Sequence, residues 1–397
     1  MKTSRLFKKV AIYVTFFDIM DYISYEGVFN LSKILLNGLH YESHGAGISK
    51  YTNMLLKTFI EENYDVDILI RDEFKHELFS NNLIFTNQTI NGSKDRIIYE
   101  QLKAQKLYKN YKLVHFPDYA TPALYKGKKV ATIHDMAMHT MRDKYTVMQN
   151  ITKNILIKNT IHSAEKLICD SEFSKRELLN YYPKAEDKVE VIYGGIDIPE
   201  ININPDEEAK VLQRFNIVKN KYILYVGTIA PHKNIKKLIQ AFSYIKNKIP
   251  EYKLVIAGKK GWMYNEVFEE VERLNLQNEI IFTDFVSDID LEVLYKNAEL
   301  FVSVSLYEGF GFPPLEAMGR NIPVLISDIE IFRETCLDCA IYCNPNEIED
   351  IGDKIIQILN DKELQKDLTQ KARERVKFFD WKKTAEETYN LYLHILN

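Results

Sequence analysis

Two carboxylates occur close together in the segment SLYEGFGFPPLEAMG, residues 305–319, where Glu308 and Glu316 are eight positions apart. Almost nothing polar separates them. A regular helix or strand would not bring both side chains to one ligand, so the segment is expected to bend between them. Gly309 and Gly311 give its backbone that freedom.

The surroundings of the two glutamates predict a strand, a loop and a helix. Residues 299–305 are typical of a buried strand, and Pro313 or Pro314 suits the first turn of a helix after the loop. A carboxylate offers two acceptor oxygens to a vicinal diol such as ribose, while free N–H groups at the helix start suit a diphosphate or sugar oxygens. Taken alone, Glu316 could equally be a residue that complements the helix dipole. Together with Glu308 and the two glycines, it predicts a ligand site.

Three other loops follow predicted strands and carry residues that can bind anions or sugars. Gly45 and Gly47 lead directly into a helix, where backbone N–H groups can approach a phosphate. His134, next to Asp135, ends a second strand, and Lys233 follows a third. An ordinary helix start, a hydrogen-bonded turn histidine and a solvated lysine are the structural alternatives for these loops.

Short apolar runs bounded by turns alternate with helical patterns along the chain. The predicted strands are 10–17, 33–38, 66–70, 112–116, 129–134, 166–170, 221–227, 253–258, 279–285, 299–305 and 322–327. The predicted helices include 48–62, 145–163, 173–181, 234–247, 264–274, 347–360 and 362–378. Runs of this kind fit strands that are buried on both faces of a parallel sheet. Two such series predict an α/β fold with two doubly wound domains.

The length of 397 residues favours two domains, since it exceeds what one ordinary core holds. The segment 193–209 is rich in glycine, proline and asparagine and has no helical period, which indicates the boundary. We therefore expect one domain over residues 1–200 and a second over 201–379. The amphipathic segment 380–397 is expected to pack back on the first domain.

Composition argues against several classes of protein. Hydrophobic residues make up 46% and charged residues 27%, which is typical of a globular chain. A formal net charge of −4 argues against a dedicated nucleic-acid binder, and no apolar run approaches the ~18 residues that span a bilayer. The N-terminal segment has a basic start but early acidic residues and no small-residue cleavage site, so a signal peptide is not expected. We expect a cytoplasmic protein.

Two patterns look like metal sites but have simpler explanations. The four cysteines are Cys169, Cys336, Cys339 and Cys343. Structural zinc takes four ligands, and no fourth thiol or histidine lies near the last three in sequence, so small packing residues in a reducing compartment explain them better. The two D-x-D triplets are Asp65/Asp67 and Asp288/Asp290. They fit the starts of a strand and of a helix, and no metal is expected.

At this point the chain resembles a retaining glycosyltransferase of the GT-B architecture, in family 4, the "glycosyl transferases group 1" type. A glutamate pair with seven residues between its members is the most recognisable motif of that family. The similarity runs from about residue 33 to 392 and includes, in order, HGAGISKYT, HDMAMH, CDSEFSKREL, VIYGGID, YVGTIAPHKN, LVIAGKKG and IPVLISD. The resemblance implies two Rossmann-like domains facing a central cleft, with a nucleotide-sugar donor held mainly by the second.

The resemblance also implies a role for each member of the glutamate motif. Glu316 would bind the ribose hydroxyls, and Glu308 would contact the donor sugar near its 3-hydroxyl. The backbone at Gly309, Phe310 and Gly311 would hold sugar and phosphate oxygens.

Other positions would complete the donor site that the resemblance implies. Lys233 would neutralise the diphosphate, and the backbone near Gly258 and Val286 would flank the base. From the first domain, the segment 45–47 would approach the diphosphate and the acceptor, and His134 would approach the donor sugar.

One loop departs from the pattern of the family. Thr228, one of the donor-binding positions that the resemblance implies, and His232 occupy positions where relatives often carry arginines. This leaves Lys233 as the cation of that loop. The departure puts the grip on the diphosphate in question. Lys175 or Arg176, in the predicted helix start SEFSKREL, would be a compensating cation.

The function that the resemblance implies is transfer of a hexose to a hydroxyl of a glycan or a lipid-linked saccharide, with retention of configuration and without a metal or other cofactor. GDP-mannose is the first expectation for the donor, and a UDP-sugar is the alternative. Two rival functions stay open: a non-catalytic subunit of the same fold that binds a glycan or a partner enzyme, and a nucleotide-sugar epimerase.

A basic pattern predicts a further contact. The lysines concerned are Lys103, Lys106, Lys109, Lys126, Lys128 and Lys129. A basic helical face could dock on anionic lipid, as suits an enzyme with a lipid-linked acceptor, and a solvated face is the alternative. The hypothesis places a cytoplasmic protein in peripheral contact with the inner face of the cell membrane.

Overall fold

Two parallel β-sheets with helices on their faces form the described part of the protein. A computed structural model describes residues 33–43, 45, 47–141, 147–199, 201, 203–261 and 263–397. The expected strand at 10–17 lies outside the described residues, as does Ala46 between the two glycines. The α/β fold class predicted from the sequence is confirmed.

The first sheet contains seven strands in the order β3-β2-β1-β4-β5-β6-β7, and each strand runs parallel to its neighbours. Its strands are β1 (Ile34–Asn37), β2 (Asp67–Ile70), β3 (Leu83–Phe85), β4 (Leu113–Phe116), β5 (Lys128–Ile133), β6 (Lys166–Cys169) and β7 (Val189–Val191). The helices among them are α1 (Ile48–Glu61), α2 (Gly92–Ile98), α3 (Gln105–Tyr108), α4 (Ala137–Thr140), α5 (Val147–Ser163) and α6 (Glu172–Tyr181), with a π-turn over Tyr99–Lys103.

The second sheet contains six parallel strands in the order β10-β9-β8-β11-β12-β13. They are β8 (Tyr222–Val226), β9 (Lys253–Ala257), β10 (Ile280–Asp284), β11 (Leu300–Ser303), β12 (Val324–Ser327) and β13 (Ile341–Cys343). The helices of this half are α7 (Pro205–Arg214), α8 (Ile235–Ile245), α9 (Asn265–Arg273), α10 (Asp288–Lys296), α11 (Phe312–Gly319), α12 (Glu330–Cys336), α13 (Ile348–Asn360) and α14 (Lys362–Val376), and the last helix is α15 (Trp381–Leu396).

The strands that form the sheet centres are buried along their whole length, for example Ile34–Asn37 and Leu300–Ser303. Their apolar side chains pack against helices on both faces, which is why the sequence shows continuous rather than alternating apolar runs. The three strands that the sequence analysis missed, β3, β7 and β13, are three-residue strands at sheet edges. Segments this short carry too few residues for a periodic signal.

The polar patterns with structural explanations have ordinary places in this fold. All four cysteines are buried free thiols. Asp67 begins β2 and accepts a hydrogen bond from Tyr111 Oη at 2.8 Å. Ser287 caps α10, where its hydroxyl accepts from the Asp290 amide at 3.2 Å.

Helix α15 packs against α1, on the face of the first sheet. Trp381, Ala385 and Tyr392 are buried in the same apolar cluster as residues of α1 and of the strands β1, β2 and β4. Tyr392 Oη also hydrogen-bonds to the buried His115 ring. The domain boundaries at 200 and 379 stay a prediction.

We expect Tyr392→Ala to lower the free energy of unfolding by about 3–5 kcal/mol, the range for truncation of a buried aromatic side chain. Tyr392 is fully buried, so the truncation leaves a cavity beneath α15. The matched control is Leu393→Ala at the next position, which is 39% exposed and is expected to change stability by less than about 1 kcal/mol. Urea denaturation of both variants measures the difference, and equal midpoints would contradict this account of α15.

Candidate active site

Loops at the carboxyl ends of neighbouring strands carry the predicted site residues. The strand order changes direction between β1 and β4 in the first sheet and between β8 and β11 in the second. Such points are where open α/β sheets bind ligands. Gly45 follows β1, Thr228 and Lys233 follow β8, and Glu308 follows β11.

A cleft of about 470 Å³ joins residues from both sheets. The predicted site residues that line it are Gly45, Thr228, Gly258, Val286 and Glu316. The remaining lining includes Lys50 of α1 and Arg320 at the end of α11, which the sequence analysis did not single out.

Glu316 is 4% exposed on α11, and both of its carboxylate oxygens have partners. Tyr295 Oη donates to Oε2 at 3.1 Å, and the Lys50 ammonium donates to Oε1. Burial by itself would raise the pKa of Glu316, but the charge and hydrogen bond of Lys50 hold it below its ordinary value. The side chain is therefore an ionised acceptor at the wall of the cleft.

Glu308 pairs directly with Lys233. Its Oε1 and Oε2 lie 2.6 and 2.7 Å from Lys233 Nζ, and Ser305 Oγ donates to Oε1 at 2.7 Å. Burial opposes ionisation of Glu308, and the neighbouring Lys233 outweighs it, so the pKa of the carboxyl is lowered. The two residues expected to serve the sugar and the diphosphate thus form one partly buried ion pair.

Gly309 lies where the loop after β11 contacts the first sheet. A Cβ at this position would lie 2.2 Å from the carbonyl oxygen of His134, so a larger residue could not occupy it without moving the backbone. The Gly309 carbonyl accepts from Ser171 Oγ and from Ser174 Oγ, each at 3.1 Å. Close packing against His134 therefore requires a glycine at this position, in addition to the predicted approach of its backbone to a ligand.

The next two residues fix the start of α11. Phe310 is 3% exposed and packs against Phe312 and Phe379, with ring centroids 4.7 and 5.6 Å away. Gly311 caps the helix at a φ of +90°, a conformation that glycine adopts at little cost. The turn predicted between the two glutamates is therefore present.

Three predicted backbone positions occupy structured turns. Gly47 caps α1, and the Gly258 amide donates to the Asp284 carbonyl at 3.1 Å. Val286 is partly buried against the apolar cluster of the second sheet. The Gly258 amide hydrogen is thus already used within the protein.

Family models match both halves of the chain. The model described as "Glycosyl transferases group 1" matches residues 207–375, and the one described as "Glycosyltransferase Family 4" matches residues 45–200. The chain belongs to glycosyltransferase family 4. Its activity is glycosyl transfer from a nucleotide-sugar donor, and the expectation of an enzyme is confirmed.

Similar proteins agree with this assignment. O-antigen chain mannosyltransferase B of Escherichia coli is 29% identical over 75% of this chain and 78% of its own length. O-antigen chain mannosyltransferase RfbU of Salmonella typhimurium is 27% identical over 76% of this chain and 84% of its own. A sucrose-phosphate synthase from Thermosynechococcus elongatus shares the fold, with a TM-score of 0.73 at 20% identity over 91% of this chain and 98% of that one. HepE of Anabaena, solved with UDP and glucose, has a TM-score of 0.74 at 19% identity, over 91% of this chain and all of that one.

The loop after β8 in this glycosyltransferase carries little positive charge apart from Lys233. Thr228 is uncharged, and burial and then the charge of Lys233 lower the pKa of His232. Arg176, one of the two expected compensating cations, pairs with Glu330 at 2.5 Å and with Glu334 at 3.6 Å on α12. Lys175 is half-buried on α6.

His134 follows β5, and both of its ring nitrogens face acceptors. Nδ1 lies 2.9 Å from Asp170 Oδ2, and Nε2 lies 3.2 Å from the carbonyl oxygen of Pro117. A carbonyl can only accept, so Nε2 donates to it, and an ionised Asp170 beside Nδ1 favours the imidazolium form of the ring. Burial acts against that charge, but the hydrogen bond and charge of Asp170 raise the pKa of His134. Sequence reasoning missed Asp170, although it sits directly before the serine of the CDSEFSKREL motif.

We expect Asp170→Asn to lower the pKa of His134, because the neutral amide removes the charge that favours the imidazolium. The measurement is the pH titration of the His134 Cε1 proton by NMR. The conservative control is Glu172→Gln, an exposed carboxylate two residues further along, which is expected to leave the titration unchanged. An unchanged titration in Asp170→Asn would contradict the assignment of the pair.

Proposed function

We propose that this glycosyltransferase moves mannose from GDP-mannose to a hydroxyl of a glycan or a lipid-linked saccharide, with retention of the anomeric configuration and without a metal ion. The observation that carries the proposal is the pair of glutamates at the carboxyl end of one sheet, Glu316 buried and Glu308 partly buried, each ion-paired with a lysine. The names of the two O-antigen chain mannosyltransferases support mannose as the sugar. A UDP-sugar is the second candidate, because HepE was solved with UDP and glucose.

In the proposed donor pose, the nucleoside occupies the cleft lined by Glu316, and the sugar lies at the loop that carries Glu308. Glu316 accepts from the ribose hydroxyls, while Gly258 and Val286 flank the base. Glu308 accepts from the sugar, and Lys233, held at 2.6 Å from Glu308, faces the diphosphate. His134 approaches the same sugar from the first sheet.

The proposed reaction forms one bond and breaks one. The acceptor oxygen attacks the anomeric carbon, while the bond from that carbon to the β-phosphate oxygen breaks. The proton of the acceptor hydroxyl passes to the departing phosphate oxygen on the same face, which retains the configuration. Lys233 and the amino end of α11 stabilise the charge that grows on the diphosphate.

We expect GDP-mannose to raise the melting temperature of the protein, because a ligand that binds the folded state stabilises it by linkage. UDP-glucose and ADP-glucose are expected to raise it less. Transfer to a saccharide acceptor should persist in excess EDTA.

Glu316→Gln should weaken donor binding by about 10- to 100-fold through loss of a charge-assisted hydrogen bond.

The matched control for Glu316→Gln is Glu363→Gln, an exposed residue of α14 that should bind the donor normally. A larger shift with UDP-glucose would replace the guanine nucleotide by the uridine alternative. Conversion of the donor without any acceptor would indicate an epimerase. No shift with any nucleotide sugar would overturn the proposed donor site.

We also propose a peripheral contact with an anionic membrane, in which exposed apolar side chains of α5 act together with the exposed lysines of the predicted cluster, Lys103, Lys106, Lys109, Lys126 and Lys128. Lys129 is buried, and its ammonium donates to the Tyr125 carbonyl at 2.7 Å, so it does not belong to a basic surface. On α5, three apolar side chains at helical spacing are exposed: Met148 by 72%, Ile151 by 51% and Ile155 by 63%. Among the residues that the structure describes, no helix has the length and apolarity needed to cross a bilayer.

We expect the protein to co-sediment with vesicles containing anionic phosphatidylglycerol, and the binding to weaken as salt screens the lipid charge. Ile151→Asp with Ile155→Asp should reduce it about tenfold or more, since the apolar face is lost. The control is Val218→Asp, which changes a side chain that is 65% exposed near the second sheet. Binding that ignores salt, lipid charge and the α5 variants would contradict the proposal.

A further inference from the structure

Lys50 lies on α1, beside the first sheet, and reaches a carboxylate that belongs to the second. Its side chain is 27% exposed, and it lines the same cleft as Thr228 and Glu316. Its ammonium pairs with Glu316 Oε1, the group to which the proposed function assigns the ribose. The sequence resemblance gave Lys50 no role.

The two partners of Glu316 differ in access. Tyr295 is fully buried and approaches Oε2 from the interior of the second sheet's core. Lys50 approaches Oε1 from the cleft. A ribose that enters the cleft therefore reaches Glu316 on the side that the ammonium occupies, where its hydroxyls compete with the ammonium for Oε1.

The other cations that line the cleft have partners other than the carboxylate of Glu316. Arg320 pairs with Glu292 at 2.7 Å and stacks on the Tyr295 ring. Lys259 lies over the Phe285 ring, with its ammonium 4.9 Å from the centroid, and Lys57 lies 3.9 Å from Glu61. Lys50 differs from all three, because its partner is the carboxylate that the donor itself would occupy.

We infer that Lys50 is a donor-binding residue that changes partner: ribose takes its place on Glu316, and the released ammonium pairs with the diphosphate. This deepens the proposed function and rests on it. Thr228 supplies no charge to the diphosphate, and the first turn of α1, which begins after Gly47, places Lys50 within the cleft. A lysine on a four-carbon stem can make this change of partner without moving the helix.

Lys50 is expected to have opposite effects on the binding of the two parts of the nucleotide. Lys50 opposes the nucleoside, because it competes for Glu316, and favours the diphosphate. Replacing it by methionine should therefore weaken the binding of GDP by about 10- to 100-fold, the range for a lost charge-assisted contact, while guanosine binds as well as before or more tightly. Lys50→Arg, which keeps the charge, should restore most of the affinity for GDP.

Isothermal titration of the full chain with GDP, guanosine, UDP and uridine tests this, with Lys366→Met on exposed α14 as the control. The expected result is a ratio of diphosphate to nucleoside affinity that falls at least about tenfold in Lys50→Met alone. A ratio that stays the same, with both ligands bound more tightly, would overturn the inference and leave Lys50 as a simple lock on Glu316. Lys50→Met removes the ion-pair partner of Glu316, so a lower melting temperature without ligand is expected. A native circular-dichroism spectrum at the titration temperature shows that the variant is folded, and Lys50→Arg provides a second variant. If the unaltered chain bound none of the nucleoside diphosphates, the proposed function itself would be overturned, and the inference with it.

Discussion

Two ionised carboxylates largely withdrawn from water, Glu316 in the cleft wall and Glu308 in the loop after β11, are the constraint on which the site depends. Moving a carboxylate out of water is costly, and it stays charged in the interior only when it is paired. Glu308 is paired with Lys233 and Glu316 with Lys50. Each lysine thus has two tasks, since it keeps its glutamate ionised in the folded protein and it is a cation beside the proposed donor.

The same pairing links the site to pH. The pKa values of Glu308 and Glu316 are both lowered in the folded protein, against the effect of burial. Groups of this kind stabilise the folded state above their unfolded pKa, and the contribution is lost as the pH falls through the folded pKa. Acid therefore weakens the fold and neutralises the two carboxylate acceptors of the site over the same pH range, because protonation of each carboxylate has both effects.

Sequence reasoning reached the elements better than the contacts between them. Glu308 and Glu316 were recognised as a site because a strand, a glycine-containing loop and a helix start are local features that one segment encodes. Partners of Glu316 and of Gly309 were missed, since Lys50 precedes Glu316 by 266 positions and Ser171 precedes Gly309 by 138. Such pairs depend on how the loops of two sheets meet, and no local pattern specifies that. Arg176 was correctly predicted to lie at the start of a helix, but its carboxylate partners on α12 were not predicted.

The contact between the two sheets explains why the loop after β8 can lack a second cationic residue. The Gly309 carbonyl accepts from Ser171 and Ser174 of the first sheet, and this places the loop that carries Glu308 directly against His134. With the sheets in contact there, Lys50 of α1 lines the same cleft as Thr228 of the loop after β8. The position held by Thr228 can then be uncharged without loss of positive charge in the cleft as a whole. The two positions would then bind the diphosphate at different stages. A cation at Thr228 would contact it as soon as the second sheet bound a nucleotide, whereas Lys50 contacts it only when α1 and Glu316 face the same ligand. In our proposal, diphosphate recognition therefore requires both sheets, and the donor is held fully only in the arrangement in which transfer can occur.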